Sequence, residues 1–168
     1  MVKQSIHQFS KPDEELLQKI FGLLKGQLKS NPYGWDGEFA KEICKLPKGL
    51  RAMAATHHLD VSLALDDIGW HFLNFGEAGH AKETETGLRE LGMDEMANLF
   101  AEAYRIMKLH LSELRKPGGD YYACLERSDE MKRINELSNR ARAIQREGGV
   151  YSTWVKYARK TPERVFGA

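Results

Sequence analysis

Cysteine, proline and long apolar runs are scarce in this chain, and neither sign of charge is in excess. Only two of 168 residues are cysteine, Cys44 and Cys124, eighty positions apart with no second thiol near either, so neither a CxxC redox pair nor a zinc knuckle can be drawn. Both read as reduced, buried thiols of a cytoplasmic protein. The longest uncharged apolar run in the interior lies near Val61-Ser62-Leu63-Ala64-Leu65, far below the ~20 residues that a bilayer-spanning helix needs. The opening Met1-Val2-Lys3-Gln4-Ser5-Ile6-His7-Gln8 lacks the basic start and apolar stretch of a secretory signal, and export is not expected. Lys and Arg number 25 against 24 Asp and Glu, so the molecule has no net field for drawing nucleic acid or acidic lipid from a distance. Any charged partner must be recognised by a local patch.

What is present is an ordinary globular composition, 42% apolar and 29% charged, in a length that supports one domain over residues 1–168. Almost every segment carries the 3.6-residue period. Ser10-Lys11-Pro12-Asp13 opens a first amphipathic helix with Leu16, Leu17, Ile20, Phe21, Leu24 and Leu28 on one face, ended near Ser30 by Asn31-Pro32-Tyr33-Gly34. A short helix over about 38–46 buries Phe39, Ile43 and Cys44. Pro47 then starts a longer one whose inner face reads Leu50, Met53, Ala54, His57, Val61 and Ala64. Asp66-Asp67-Ile68-Gly69-Trp70 interrupts it, as a bend or a fresh start with the two aspartates as caps.

Further helices are expected over about 80–91, closed by Gly92, and from Asp94, read as its cap, to about Lys116, where Pro117-Gly118-Gly119 breaks the chain. Residues 120–127 read as either a helical turn or an extended piece. Ser128-Asp129-Glu130 caps a helix with the stripe Met131, Ile134, Leu137, Ala141 and Ile144, stopped by Gly148-Gly149. A last helix over about 150–159 precedes a turn at Thr161-Pro162-Glu163. The expected fold is all-α: a single-domain helical bundle of about seven helices with a kinked central helix.

Charge is uneven along this chain. Residues 60–103 hold ten acidic and two basic side chains, whereas residues 131–168 hold nine basic and three acidic. Either an acidic face (Asp60, Asp66, Asp67, Glu77, Glu83, Glu85, Glu90) opposes a basic one (Lys132, Arg133, Arg140, Arg146), or the two regions pack together and neutralise each other, which is the favoured reading.

His57 and His58, with Asp60, Asp66, Asp67 and His71, form the one group of metal-ligand residue types, and a hydrolase would draw on His57, His58, Asp66, Asp67 and His71. A divalent ion there would activate water for a hydrolase. The plainer reading puts His57 at the edge of the core and the aspartates at a helix start. Nucleophile elbows, phosphate-cradling loops and dinucleotide fingerprints are missing, so no catalytic residue, metal ligand or cofactor is assigned. Trp70, Phe72, Phe75, Phe100 and Tyr104 have the residue types for base stacking, yet their helical spacing favours core packing.

Residues 58–76, with Asp66-Asp67-Ile68-Gly69-Trp70-His71-Phe72-Leu73-Asn74-Phe75-Gly76, resemble the signature of a bacterial family of unknown function typified by a DNA-mimic protein. Gly87-Leu88-Arg89-Glu90-Leu91-Gly92 and the tail from Trp154 to Phe166 agree, so the resemblance covers residues 57–166. It implies an all-α fold and a small bacterial cytoplasmic protein. Mimicry needs carboxylates spaced like phosphates, and with a net charge of +1 it is not adopted as the main reading.

The first expectation is a non-enzymatic module that binds a protein partner through Asp66, Asp67, Gly69, Trp70, His71 and Asn74, with the acidic helix near His80 alongside. The second is the metal-assisted hydrolase, and the third is nucleic-acid binding through the helix of Arg140, Arg142 and Arg146. Nucleic acid and membrane are not the expected partners, and self-association is left open.

Overall fold

The computed structural model describes residues 9–167, and the reading of the first eight residues as lacking a signal lies outside them. Eleven helices and no strand are found among the described residues. They are α1 (Lys11–Gln27), α2 (Glu38–Ile43), α3 (Lys48–Leu65), α4 (Ile68–Phe75), α5 (Ala78–Glu90), α6 (Asp94–Met107), α7 (Leu111–Leu114), α8 (Tyr121–Arg127), α9 (Asp129–Arg146), α10 (Gly149–Lys160) and α11 (Pro162–Phe166). Eight have seven residues or more, close to the number that periodicity predicts; the remaining three are short turns.

Two apolar clusters share α3. Its first half contributes Leu50, Met53 and Ala54 to a cluster with Ile20 of α1, Ile43 of α2, Trp154 of α10 and Val165 of α11. Its second half contributes Leu59 and Leu63 to a cluster with Phe72 of α4, Leu88 of α5, Phe100 of α6 and Ile134 of α9. Polar side chains mark the change-over. Thr56 accepts the Trp154 indole N–H at 3.0 Å, Asp60 accepts the Val150 N–H at 2.9 Å, and the His57 ring bonds the Tyr151 hydroxyl at 2.8 Å, tying α10 to α3. Close approach of α5 to the same helix depends on Gly87, where a Cβ would stand 2.9 Å from the Ala52 carbonyl oxygen.

Several expectations need correction. The inner face of α3 does not continue through Val61 and Ala64: Ala64 is exposed and Leu59, Ser62 and Leu63 are buried, because neighbouring helices surround α3 and α4 and α9 claim a different side of its second half. The helix from Asp94 stops at Met107, and Lys108-Leu109-His110 forms turns before α7. Asp94 is the first helical residue and does not cap. Of the two readings of residues 120–127 the helical one holds: Tyr121–Arg127 form α8, and Asp120 before it accepts the Ala123 N–H as N-cap. Cys44 is exposed, not buried, and Cys124 is half-buried; both are free thiols.

Candidate functional site

The Asp66-Asp67 junction is a break between two helices, not a kink within one. Asp66 leaves helical geometry, with φ −147° and ψ −113°. Asp67 takes the N-cap position of α4, as the sequence predicts, and its carboxylate accepts the Trp70 N–H at 2.7 Å. The other α4 residues follow from this start: Trp70 and Asn74 are one turn apart, and the Asn74 amide donates to the Trp70 carbonyl at 3.1 Å.

Two helices from the far end of the chain hold the junction. The Tyr121 hydroxyl of α8 donates to Asp67 at 2.8 Å, and the neighbouring Tyr122 donates to Asp66 at 2.6 Å. From α9, the Ser138 hydroxyl accepts the Ile68 N–H at 3.0 Å and Arg142 donates to the Asp66 carbonyl at 3.1 Å. The hydrogen bond to Asp66 pushes the Tyr122 phenol up to about 12; burial pushes that of Tyr121 higher still. Both phenols therefore remain donors at any ordinary pH.

Of the six residues predicted to bind a partner, Asp66, Trp70 and Asn74 are partly accessible, whereas Asp67, Gly69 and His71 are buried. Sequence reasoning missed Leu65, which precedes Asp66 and is 70% exposed, and Tyr122, which bonds the Asp66 carboxylate and is 57% exposed. Asp120, a capping residue three positions before Ala123, was the signal that could have placed both tyrosines on a helix at the outset.

The metal-assisted hydrolase fails on geometry. His57 is turned to Tyr151, Asp67 to Trp70 and Tyr121, and Asp66 to Tyr122, while His58 and His71 sit among aromatic rings. These five side chains do not converge on one point, and no group of three or more His, Cys, Asp or Glu among the described residues could hold a metal ion. Phe72, Phe75 and Phe100 are core, with Phe72 packed against Phe100 at 4.9 Å and Tyr104 at 5.4 Å, while Trp70 and Tyr104 are partly buried at its edge.

The acids of residues 60–103 are partnered within the chain, but the basic tail supplies only part of the cations, at Glu90, Glu95 and Glu102. Glu83, Glu85, Glu90, Asp94, Glu95 and Glu102 all have a cationic partner: Arg51, Arg89, Lys48 with Arg164, Arg89 again, Arg140 and Arg133. The other acids between residues 60 and 103, namely Asp60, Asp66, Asp67 and Glu77, bond backbone N–H groups or tyrosine hydroxyls. The basic stripe of α9 is spent largely on α6, since Arg133 and Arg140 meet Glu102 and Glu95 and Arg142 meets the junction. That leaves the third expectation, phosphate binding by this helix, with few free cations.

Fold and junction define an all-α protein with a polar helix break tied to α8 and α9 and carrying exposed apolar neighbours. Residues 44–160 match the family described as DMP19-like protein, and this chain belongs to that family. Compared with curated proteins and with solved structures, it finds no match. Among the described residues, no helix is long and apolar enough to cross a membrane.

Proposed function

We propose that this protein is a non-enzymatic interaction module of the bacterial cytoplasm whose partner is a DNA-binding protein, the class that the family's DNA-mimic character implies. The partner docks on the ridge formed by Leu65, Asp66, Trp70 and Asn74 together with Tyr122; Asp67, Gly69 and His71 lie beneath and fix its shape. The observation that carries this reading is the exposure of Leu65, next to Asp66 in the chain, and of Tyr122, at 70% and 57%, with the Asp66 carboxylate held by the Tyr122 hydroxyl. Apolar anchors beside a preorganised polar group are what a protein interface uses for affinity and register. The carboxylates of residues 60–103 are already engaged within the chain, so the partner grips side chains of this ridge and not a phosphate-like array of charges. Two free thiols accord with a reducing compartment.

A photo-crosslinking amino acid at Leu65, with Lys41 of α2 as the control position, tests the reading in cells. The expected result is an adduct with a DNA-binding protein from Leu65 and none from Lys41, lost when that protein is first saturated with its own duplex. An adduct only with a second copy of this chain, or equal labelling from both positions, overturns it.

A further inference from the structure

Three histidines from three consecutive helices meet at the corner between α4 and α5. His58 of α3 stacks on Phe75 with ring centroids 4.5 Å apart, His71 of α4 lies 5.2 Å from the same ring, and His80 of α5 lies 6.0 Å from it and 5.7 Å from His58. Phe39 of α2 closes the group, 5.6 Å from His58 and 5.0 Å from His80. His71 and His80 are 0% and 1% exposed. The Ser62 hydroxyl bonds His71 Nδ1 at 3.0 Å, but His71 Nε2, His58 Nδ1 and both ring nitrogens of His80 have no hydrogen-bond partner. Buried polar atoms are rarely left in this state, and four in one corner have a cost that a charged ring would multiply.

The surroundings offer little to balance a positive charge. Glu77, at the start of α5, and Glu83 are the carboxylates that act on His80; Glu77 already accepts the Gly79 and His80 N–H groups, and Glu83 holds Arg51 of α3. His57, next along α3, faces Tyr151 of α10 and adds repulsion at His58. From α6 come Phe100 and the phenol of Tyr104 and from α7 Leu111 beside Gly76, none of them charged, while Ile134 and Ser138 of α9 pack at the start of α4. Burial holds His58 down at about 3, His80 at about 4 and His71 well below the ordinary 6.5; carbonyls of Ala55, beside His80, and of His58, beside His71, act in the opposite direction and are outweighed.

We infer that His58, His71 and His80 form an acid-sensitive latch: neutral, they hold the Phe75–His80 corner on α3, and on gaining protons they release it while α9 stays folded. Each ring that opening exposes to water multiplies the opening equilibrium by about 30 between pH 7.5 and 5.0, because a solvated imidazole binds protons below 6.5 and a buried neutral one does not.

Native-state hydrogen exchange of the full chain, corrected for the intrinsic pH dependence of exchange, reads this directly. At pH 5.0 the amides of residues 75–84 are expected to open at least about 30-fold more than at pH 7.5 and ahead of those in the centre of α9. Unchanged corner opening, or opening identical to that of α9 at pH 5.0, overturns the latch. His80→Phe is expected to remove about 30-fold of the response, and His110→Gln, away from the corner, to leave it intact. Should His80→Phe not fold, imidazole proton resonances of the native chain serve instead: titration of any of the three rings with a midpoint above 6 in the folded state overturns the latch, and silence down to pH 5 supports it.

Discussion

The Tyr121 hydroxyl occupies the space that a side chain on Gly69 would fill. A Cβ there would overlap the phenol oxygen and stand 2.6 Å from the ring carbon that bears it and 2.9 Å from Ile134. Glycine at the second position of α4 is thus a requirement of close approach by α8 and α9. Gly69→Ala is expected to lower stability by about 2–3 kcal/mol, as overpacking in a filled core does. Urea denaturation checks it, and a midpoint equal to that of the native chain would show that the two helices can move apart freely.

Asp67 has two partners to lose. Asp67→Ala removes the N-cap of α4 and leaves the buried Tyr121 hydroxyl without its acceptor, for a combined cost of about 2–4 kcal/mol. Tyr121→Phe, which removes one of the two bonds, should cost about half as much. Equal losses for the two variants would mean that the cap contributes nothing.

Stability should depend on pH through the buried imidazoles. Their values in the folded state lie below the ordinary 6.5, so between those values and 6.5 the unfolded chain binds more protons than the folded one. Stability is therefore fully present above about pH 6.5 and is lost as the pH falls, with a slope of up to about 1.4 kcal/mol per pH unit for each ring. For His58 the loss continues down to about pH 3, and for His80 to about pH 4. Glu83 and Glu90 are also held below their usual 4.5, so their contributions are lost only at more acid pH, and the interval from 6.5 to 5 isolates the histidines. Urea midpoints at pH 7.5, 6 and 5 provide the measurement; a flat series would contradict the placement of these rings.

Arg133 and Arg140 are more than 45% exposed although each bonds a glutamate of α6. Pairs of this kind add little, because water screens them and holding long side chains costs entropy. Gln at both positions should leave the denaturation midpoint unchanged within replicate scatter. The same double variant should elute from a DNA column at the salt concentration of the native chain; a large drop would return α9 to consideration as a phosphate-binding helix.

Most of the helices were legible because their apolar stripes and stop signals agree: Ser128 caps α9 as its sequence predicts, and Asp67 caps α4. Less legible was α3, where Thr56, Asp60 and Ser62 are buried by bonds to α10 and α4 that no local pattern encodes. Half of the candidate site was readable as a polar junction followed by Trp70. The other half, Tyr121 and Tyr122, comes from more than fifty residues away, and contacts at that separation leave no period in a single sequence. His80 was readable only as the start of an acidic helix, and its place beside His58 and His71 comes from the fold.

Binding of the crosslinked DNA-binding partner to purified Leu65→Asp, read by biolayer interferometry beside the native chain and Lys41→Ala, tests the docking ridge most directly. Leu65 is exposed, so the substitution should change stability by less than about 0.5 kcal/mol. The account predicts that Leu65→Asp weakens binding by about 30-fold or more while Lys41→Ala stays within about threefold. Native affinity in Leu65→Asp would contradict it.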